Sequence, residues 1–101
     1  MGKISRIVKM SFKEEKVEDF LKLFEEKKSF IKNFEGCTHL QLLADKKQKN
    51  IIFTYSCWNS DEALEAYRSS DLFAETWAST KVLFSDKPSA VSYERLVDVE
   101  K

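Results

Sequence analysis

From Trp58 to Phe84 the chain runs W-N-S-D-E-A-L-E-A-Y-R-S-S-D-L-F-A-E-T-W-A-S-T-K-V-L-F without a single glycine or proline. Those two residues interrupt regular structure most readily, so this stretch is constrained to be helical almost throughout. Asn59 is placed to cap a first helix, with Glu62 at the capping-box position. Ala63, Leu64 and Tyr67 fall on its inward face. Ser70 or Asp71 restarts a second helix, with Leu72, Phe73, Thr76, Trp77, Thr80, Leu83 and Phe84 on or near one face. Pro88 ends the helical region. The spacing of Trp58, Tyr67 and Trp77 allows all of them to wall one small pocket.

The rest of the chain reads mainly as strands. Lys3 to Phe12 alternates, with Ile4, Val8, Met10 and Phe12 on one face and Arg6 as its polar exception. Glu14 to about Phe34 reads as a long helix, with Val17, Phe20, Leu21, Phe24, Ile31 and Phe34 as its apolar stripe and Leu23 and Phe30 widening it. Its first turns are acidic, which suits the helix dipole, and Gly36 is placed to end it. Cys37–Ala44 and Ile51–Trp58 read as a hairpin around a polar, mostly basic turn. Ser89–Val97 reads as a last strand before a charged tail.

The predicted order is β-α-β-β-α-α-β, the plan of an α+β ferredoxin-like antiparallel sheet with helices on one face, in a single domain over residues 1–101. The strand Ile51–Trp58 is apolar on both faces: Ile51, Phe53 and Tyr55 on one, Ile52 and Trp58 on the other. Helices are available for only one side. The economical cover for the other is the same face of a second chain, which makes the expected assembly a homodimer.

Composition excludes several classes. Basic and acidic residues number 17 each, so the net charge is zero. Nucleic-acid binding needs a basic face, and although Phe53 and Tyr55 alternate as stacking aromatics do on RNA-binding sheets, no nucleic acid is expected. No apolar run approaches a membrane span or a signal peptide. The reading is a cytoplasmic protein without a membrane partner, with Cys37 and Cys57 as buried thiols on neighbouring strands. His39 is the only histidine, so sites built from several histidines are excluded and no metal is expected.

The ordered set of Trp58, capped helix, Tyr67-Arg68, S-D-L-F and a second aromatic helix resembles the antibiotic biosynthesis monooxygenase family. So do the first strand R-I-V-K-M-S-F-K, the helix start E-K-V-E-D-F-L and the F-E-G-C turn. The resemblance spans nearly the whole chain and implies a dimeric α+β barrel. In the family's haem-degrading branch, the second tandem helix carries a histidine ligand, the preceding helix a tryptophan and the first strand an asparagine. The matching helix positions here are Trp77 and Tyr67, and the first strand has no asparagine. The resemblance therefore implies the other well-known branch: a monooxygenase acting without a cofactor on a small quinol-like or polyketide-like aromatic. There the substrate supplies the electron that triplet oxygen requires. The alternative is a non-catalytic dimer that binds a small hydrophobic molecule.

Candidate residues follow from these readings. Tyr67 and His39 are the candidates for handling a proton, His39 because its ordinary pKa lies near neutrality. On its strand His39 is expected to share a face with Cys37, Gln41 and Leu43. Trp58, Trp77, Tyr55 and Arg6 are the candidates for substrate contact. Trp58 and Trp77 also read as core, and Arg6 also reads as half of an interface ion pair.

Overall fold

A computed structural model describes residues 2–99. Its elements are β1 (Ile4–Ser11), α1 (Val17–Lys32), β2 (Cys37–Ala44), β3 (Ile51–Trp58), α2 (Asp61–Arg68), α3 (Asp71–Lys81) and β4 (Ser89–Glu94). All neighbouring strands are antiparallel, in the order β2-β3-β1-β4. This is the expected ferredoxin-like sheet, and β2 and β3 have the bounds read from the sequence.

Several local expectations are corrected. The acidic start of the long helix is a separate 3-10 turn, Glu14–Lys16. Ser60, not Asn59, caps α2: its extended backbone lets the side chain accept from the Ala63 amide at 3.1 Å. Ser70 caps α3 in the same way, on the Phe73 amide. The α1 stripe is narrower than expected, since Leu21 is exposed and Phe30 is 63% exposed. Strand β4 stops at Glu94, where the antiparallel ladder opposite Ile4 ends. Arg95–Val99 continues without regular structure, with Leu96, Val97 and Val99 exposed. Of the charged tail, residues 100 and 101 lie outside the described residues.

The α1–β2 connection depends on Gly36. Its φ of 92° is in the region that favours glycine, and a Cβ there would run into the Cβ of Ala63. The Gly36 carbonyl accepts from the Asn59 amide, so this turn is pinned against the start of α2.

A second irregularity follows at once. Between Cys37 and His39 the β2–β3 register shifts by one residue. Cys37 lies opposite Trp58 and packs among Ile4, Trp58 and Leu64, whereas His39 lies opposite Cys57. The bulge turns Cys37 to the helix-covered face and leaves His39, Gln41 and Leu43 on the other. The expectation that Cys37 and His39 share a face is therefore wrong, because strict alternation fails across an unpaired residue.

The core forms two clusters on the covered face. One is Met10, Phe12, Phe20 and Ile52; the other is Ile4, Trp58 and Leu64. In register between them lie Arg6 opposite Ser56 and Val8 opposite Thr54. Small and polar side chains at these mid-strand positions do not fill the layer under the helices. Among the described residues no helix or strand covers the opposite sheet face, which exposes Ile7, Leu43, Val91 and Tyr93.

Candidate functional site

The gap between the two clusters is a cavity of about 100 Å³. Its floor is Arg6, Val8, Thr54 and Ser56 of the sheet, and its roof comes from Tyr67 of α2 and Phe73, Thr76 and Trp77 of α3. It forms because the floor residues are too short or too polar to meet the helices, while the clusters on either side hold the layers apart.

Aromatic rings enclose it in a connected series. Trp58 and Tyr67 stack with centroids 5.0 Å apart and planes at 25°. Tyr67 meets the edge of Phe73 at 5.3 Å, and Phe73 stacks on Trp77 at 5.9 Å and 7°. Trp77 then contacts Phe84 at 5.5 Å. Offset and edge-on pairs of this kind add to the stabilisation from burial alone. Trp58 is 1% exposed, and its Nε1 donates to Ser56 Oγ at 3.0 Å, so its polar edge is satisfied within the protein.

The remaining polar groups differ in this respect. Burial, and secondarily the nearby Cys37, push the Tyr67 hydroxyl up to about 12. At neutral pH it is therefore a protonated phenol, able to donate a hydrogen bond and unsuited to act as a base. Thr76 Oγ1 is buried without a hydrogen-bond partner among the described residues. Arg6 is half-buried, and its Nη1 donates to Ser92 Oγ of β4 at 2.9 Å.

The structure divides the sequence-derived candidates between two faces. It brings Trp58, Tyr67, Trp77 and Arg6 together around one cavity. His39 and Tyr55 lie on the other side of the sheet, with ring centroids 5.3 Å apart and His39 Nε2 3.3 Å from Gln41 Oε1. A group there cannot exchange a proton with a molecule beside Tyr67 without passing through the sheet. Sequence reasoning missed Thr54, Ser56, Thr76 and Arg68 as lining residues. The available signal was the hydroxyl-bearing alternation T-Y-S within an apolar strand, which places Thr54 and Ser56 on one face.

Comparison with known proteins agrees with this fold. The family model for antibiotic biosynthesis monooxygenase matches residues 3–79. A crystal structure of a conserved protein from Methanosarcina mazei superposes with a TM-score of 0.90 at 21% identity, covering 95% of each chain. A Caulobacter crescentus protein described as a "putative antibiotic biosynthesis monooxygenase" superposes with a TM-score of 0.89 at 21% identity, covering 95% of this chain and 92% of the other. A Natronomonas pharaonis protein named "Putative heme-binding protein" is 31% identical over 74 residues, which is 73% of this chain but only 12% of that protein's length.

That last relative raises the question of haem. The cavity does not fit it. A volume of about 100 Å³ is far below that of a porphyrin, and His39 is on the opposite sheet face. Of the lining side chains of types that ligate haem, Tyr67 is held in its protonated form and Met10 is buried in the cluster with Phe12, Phe20 and Ile52.

Proposed function

The chain belongs to the antibiotic biosynthesis monooxygenase family, and from that premise we propose that its cavity oxygenates a single electron-rich phenolic ring, a quinol-like aromatic, with dioxygen. The observation that carries this reading is the protonated Tyr67 hydroxyl in a small aromatic cavity whose floor holds a guanidinium. A cavity of ~150 Å³ accommodates benzene; the space of about 100 Å³ here is smaller, so even a single ring must extend into the adjoining cleft of about 260 Å³ lined by Arg6, Phe73 and Trp77. That size favours a quinol over a polycyclic polyketide.

Each wall group has a task. The stacked faces of Trp58, Phe73 and Trp77 hold the ring and exclude water. Arg6 supplies positive charge that favours the anionic form of the substrate, which is the form that gives an electron to oxygen. Recombination then joins oxygen to a ring carbon. Tyr67 donates its hydrogen bond to the peroxide oxygen as the O–O bond breaks. As the O–O bond breaks the ring carbon loses its hydrogen as a proton; one oxygen atom stays on that carbon and the other leaves as water with this proton and the one released by the phenol, so a hydroquinone becomes a hydroxyquinone and the substrate supplies all four electrons. Thr76 Oγ1 offers a further hydrogen bond to the bound ring's substituents.

The family fold and the uncovered sheet face support a homodimer as the working unit, with His39 and Tyr55 at the junction of the two copies. In this reading those two residues act in assembly. The free thiols Cys37 and Cys57 suit a reducing, cytoplasmic setting. Among the described residues no helix is long and apolar enough to cross a membrane.

Oxygen consumption with a panel of monocyclic hydroquinones tests the proposal. Uptake that requires the protein and falls in Tyr67→Phe supports it. Ring binding without uptake assigns the cavity to the second reading, a dimer that binds a small aromatic without converting it, which the predominantly apolar lining supports equally well.

A further inference from the structure

Arg6 does not act alone. Arg68, at the last position of α2, lines the same cavity. The two arginines also line an adjoining cleft of about 260 Å³ that runs past Phe73 and Trp77 to Ser89 and Ala90 of β4. They therefore stand where the cavity meets the cleft. Among the described residues no carboxylate lines either space. Among the described residues the one carboxylate paired with either guanidinium is Glu65, 3.0 Å from Arg68 Nη1, and it is exposed. Among the described residues the side-chain hydrogen-bond partner of Arg6 is the neutral Ser92 hydroxyl.

The charge at this junction is unbalanced, in a chain whose total charge is zero. Two guanidiniums face one carboxylate. A half-buried cation that is not paired is costly, and Arg6 shows the strain. Burial first, and the positive charge of Arg68 second, push its pKa below the ordinary arginine value, with Glu65 partly offsetting them.

We propose that the junction binds the carboxylate of an aromatic acid, with Arg6 and Arg68 each engaging one side of it while the ring occupies the cavity. This rests on the single-ring substrate reading above and narrows it to a hydroquinone or phenol that carries a carboxyl group. Three considerations select that chemistry. The surplus is one positive charge, which a monoanion balances and a phosphate dianion overshoots. A carboxylate is charged at every pH near neutrality, whereas a phenol is not. Its planar pair of oxygens also matches the guanidinium fork.

The test compares binding of a hydroquinone carboxylate (a dihydroxybenzoate) with that of its uncharged carboxamide. Tryptophan fluorescence is measured without oxygen, so that no turnover intervenes, on the full chain and on Arg6→Gln, Arg6→Lys and Arg68→Gln. Thermal melting establishes that each variant is folded. Arg68 is at the surface, so its substitution keeps the test available should Arg6→Gln fail to fold. Charge-assisted hydrogen bonds of this kind are worth on the order of tenfold to a hundredfold in affinity. The acid is expected to bind the parent chain at least about tenfold more tightly than the amide. That preference should vanish in Arg6→Gln, be partly restored in Arg6→Lys and weaken in Arg68→Gln, with the amide losing less affinity than the acid in each variant.

Equal binding of acid and amide, a preference that survives intact in both Arg6→Gln and Arg68→Gln, or binding of neither compound overturns the proposal. The two readings separate cleanly. An arginine-dependent preference for the acid without oxygen uptake upholds the carboxylate site and removes the oxygenase. Uptake on an uncharged hydroquinone with no preference for the acid does the reverse.

Discussion

The ring of Tyr67 lies over that of Trp58, with centroids 5.0 Å apart and planes at 25°, so the helix residue and the strand residue form one wall of the cavity. Trp58 satisfies its own indole on Ser56. No hydrogen bond contributes to the upward shift of the Tyr67 hydroxyl. Tyr67→Phe therefore keeps the stack and leaves no protein group unpaired.

The first prediction follows from the Tyr67 pKa of about 12 in the folded chain, against about 10 in an unfolded one. A phenol that holds its proton more tightly when folded contributes stability that is fully present below pH 10 and is lost as pH rises from 10 to 12. The contribution is no more than about 2–3 kcal/mol. Urea unfolding between pH 9 and 12 should show the parent losing stability faster than Tyr67→Phe. Parallel losses in both would mean that the hydroxyl is not buried in solution.

The two tryptophans should separate as stability mutants. Trp58 is 1% exposed, whereas Trp77 is only half-buried. Truncating a buried aromatic to alanine costs about 3–5 kcal/mol. Trp58→Ala is expected at the upper end and Trp77→Ala at the lower, measured by chemical denaturation. A larger loss for Trp77→Ala would contradict the placement of the core.

Gly36→Ala combines a φ of 92° with a clash against Ala63. Strain and overpacking together should cost at least about 2 kcal/mol. Ala63→Gly in the same chain should recover the part due to the clash and leave the part due to φ. If Gly36→Ala melts like the parent, the turn adopts a different conformation.

The uncovered sheet face leads to a prediction about assembly. Ile7 is paired in register with Tyr55 and Val91 near the middle of that face. Sedimentation equilibrium should show a dimer at micromolar concentration for the parent and a folded monomer for Ile7→Glu, because an interface of obligate size buries more than about 2,000 Å² and leaves no room for an unpaired charge at its centre. A parent chain that is monomeric would remove the sheet-to-sheet dimer.

The fold was legible where local chemistry decides it. Alternation pointed to β1, two strand-like runs around a short polar turn pointed to the β2–β3 hairpin, and the run without glycine or proline pointed to α2 and α3. What escaped depends on partners distant in sequence. The bulge after Cys37 is set by pairing with β3, and nothing in C-T-H marks it, so the face of Cys37 was misread. Phe30 belongs to the α1 periodicity but finds no neighbour to cover it. In the site, aromatic spacing pointed to Trp58, Tyr67 and Trp77. The polar exception on β1 pointed to Arg6. Arg68 stayed hidden because only the packing of α2 over β1 brings it to the same junction. His39 drew attention through its pKa, a property of the side chain that carries no information about which sheet face it occupies.

In the proposed function the Tyr67 cavity oxygenates a single phenolic ring. The most direct test is mass spectrometry of the product formed from a monocyclic hydroquinone under heavy-oxygen-labelled dioxygen, with the parent chain and with Tyr67→Phe at matched substrate saturation. The expected product is a hydroxyquinone carrying one labelled oxygen, with labelled water as the other product, and the rate is expected to fall by about 10²–10⁴-fold in Tyr67→Phe with little change in substrate binding. Hydroquinones that bind in the cavity yet give no protein-dependent labelled product, or a labelled product formed equally fast without the Tyr67 hydroxyl, would contradict the proposed function.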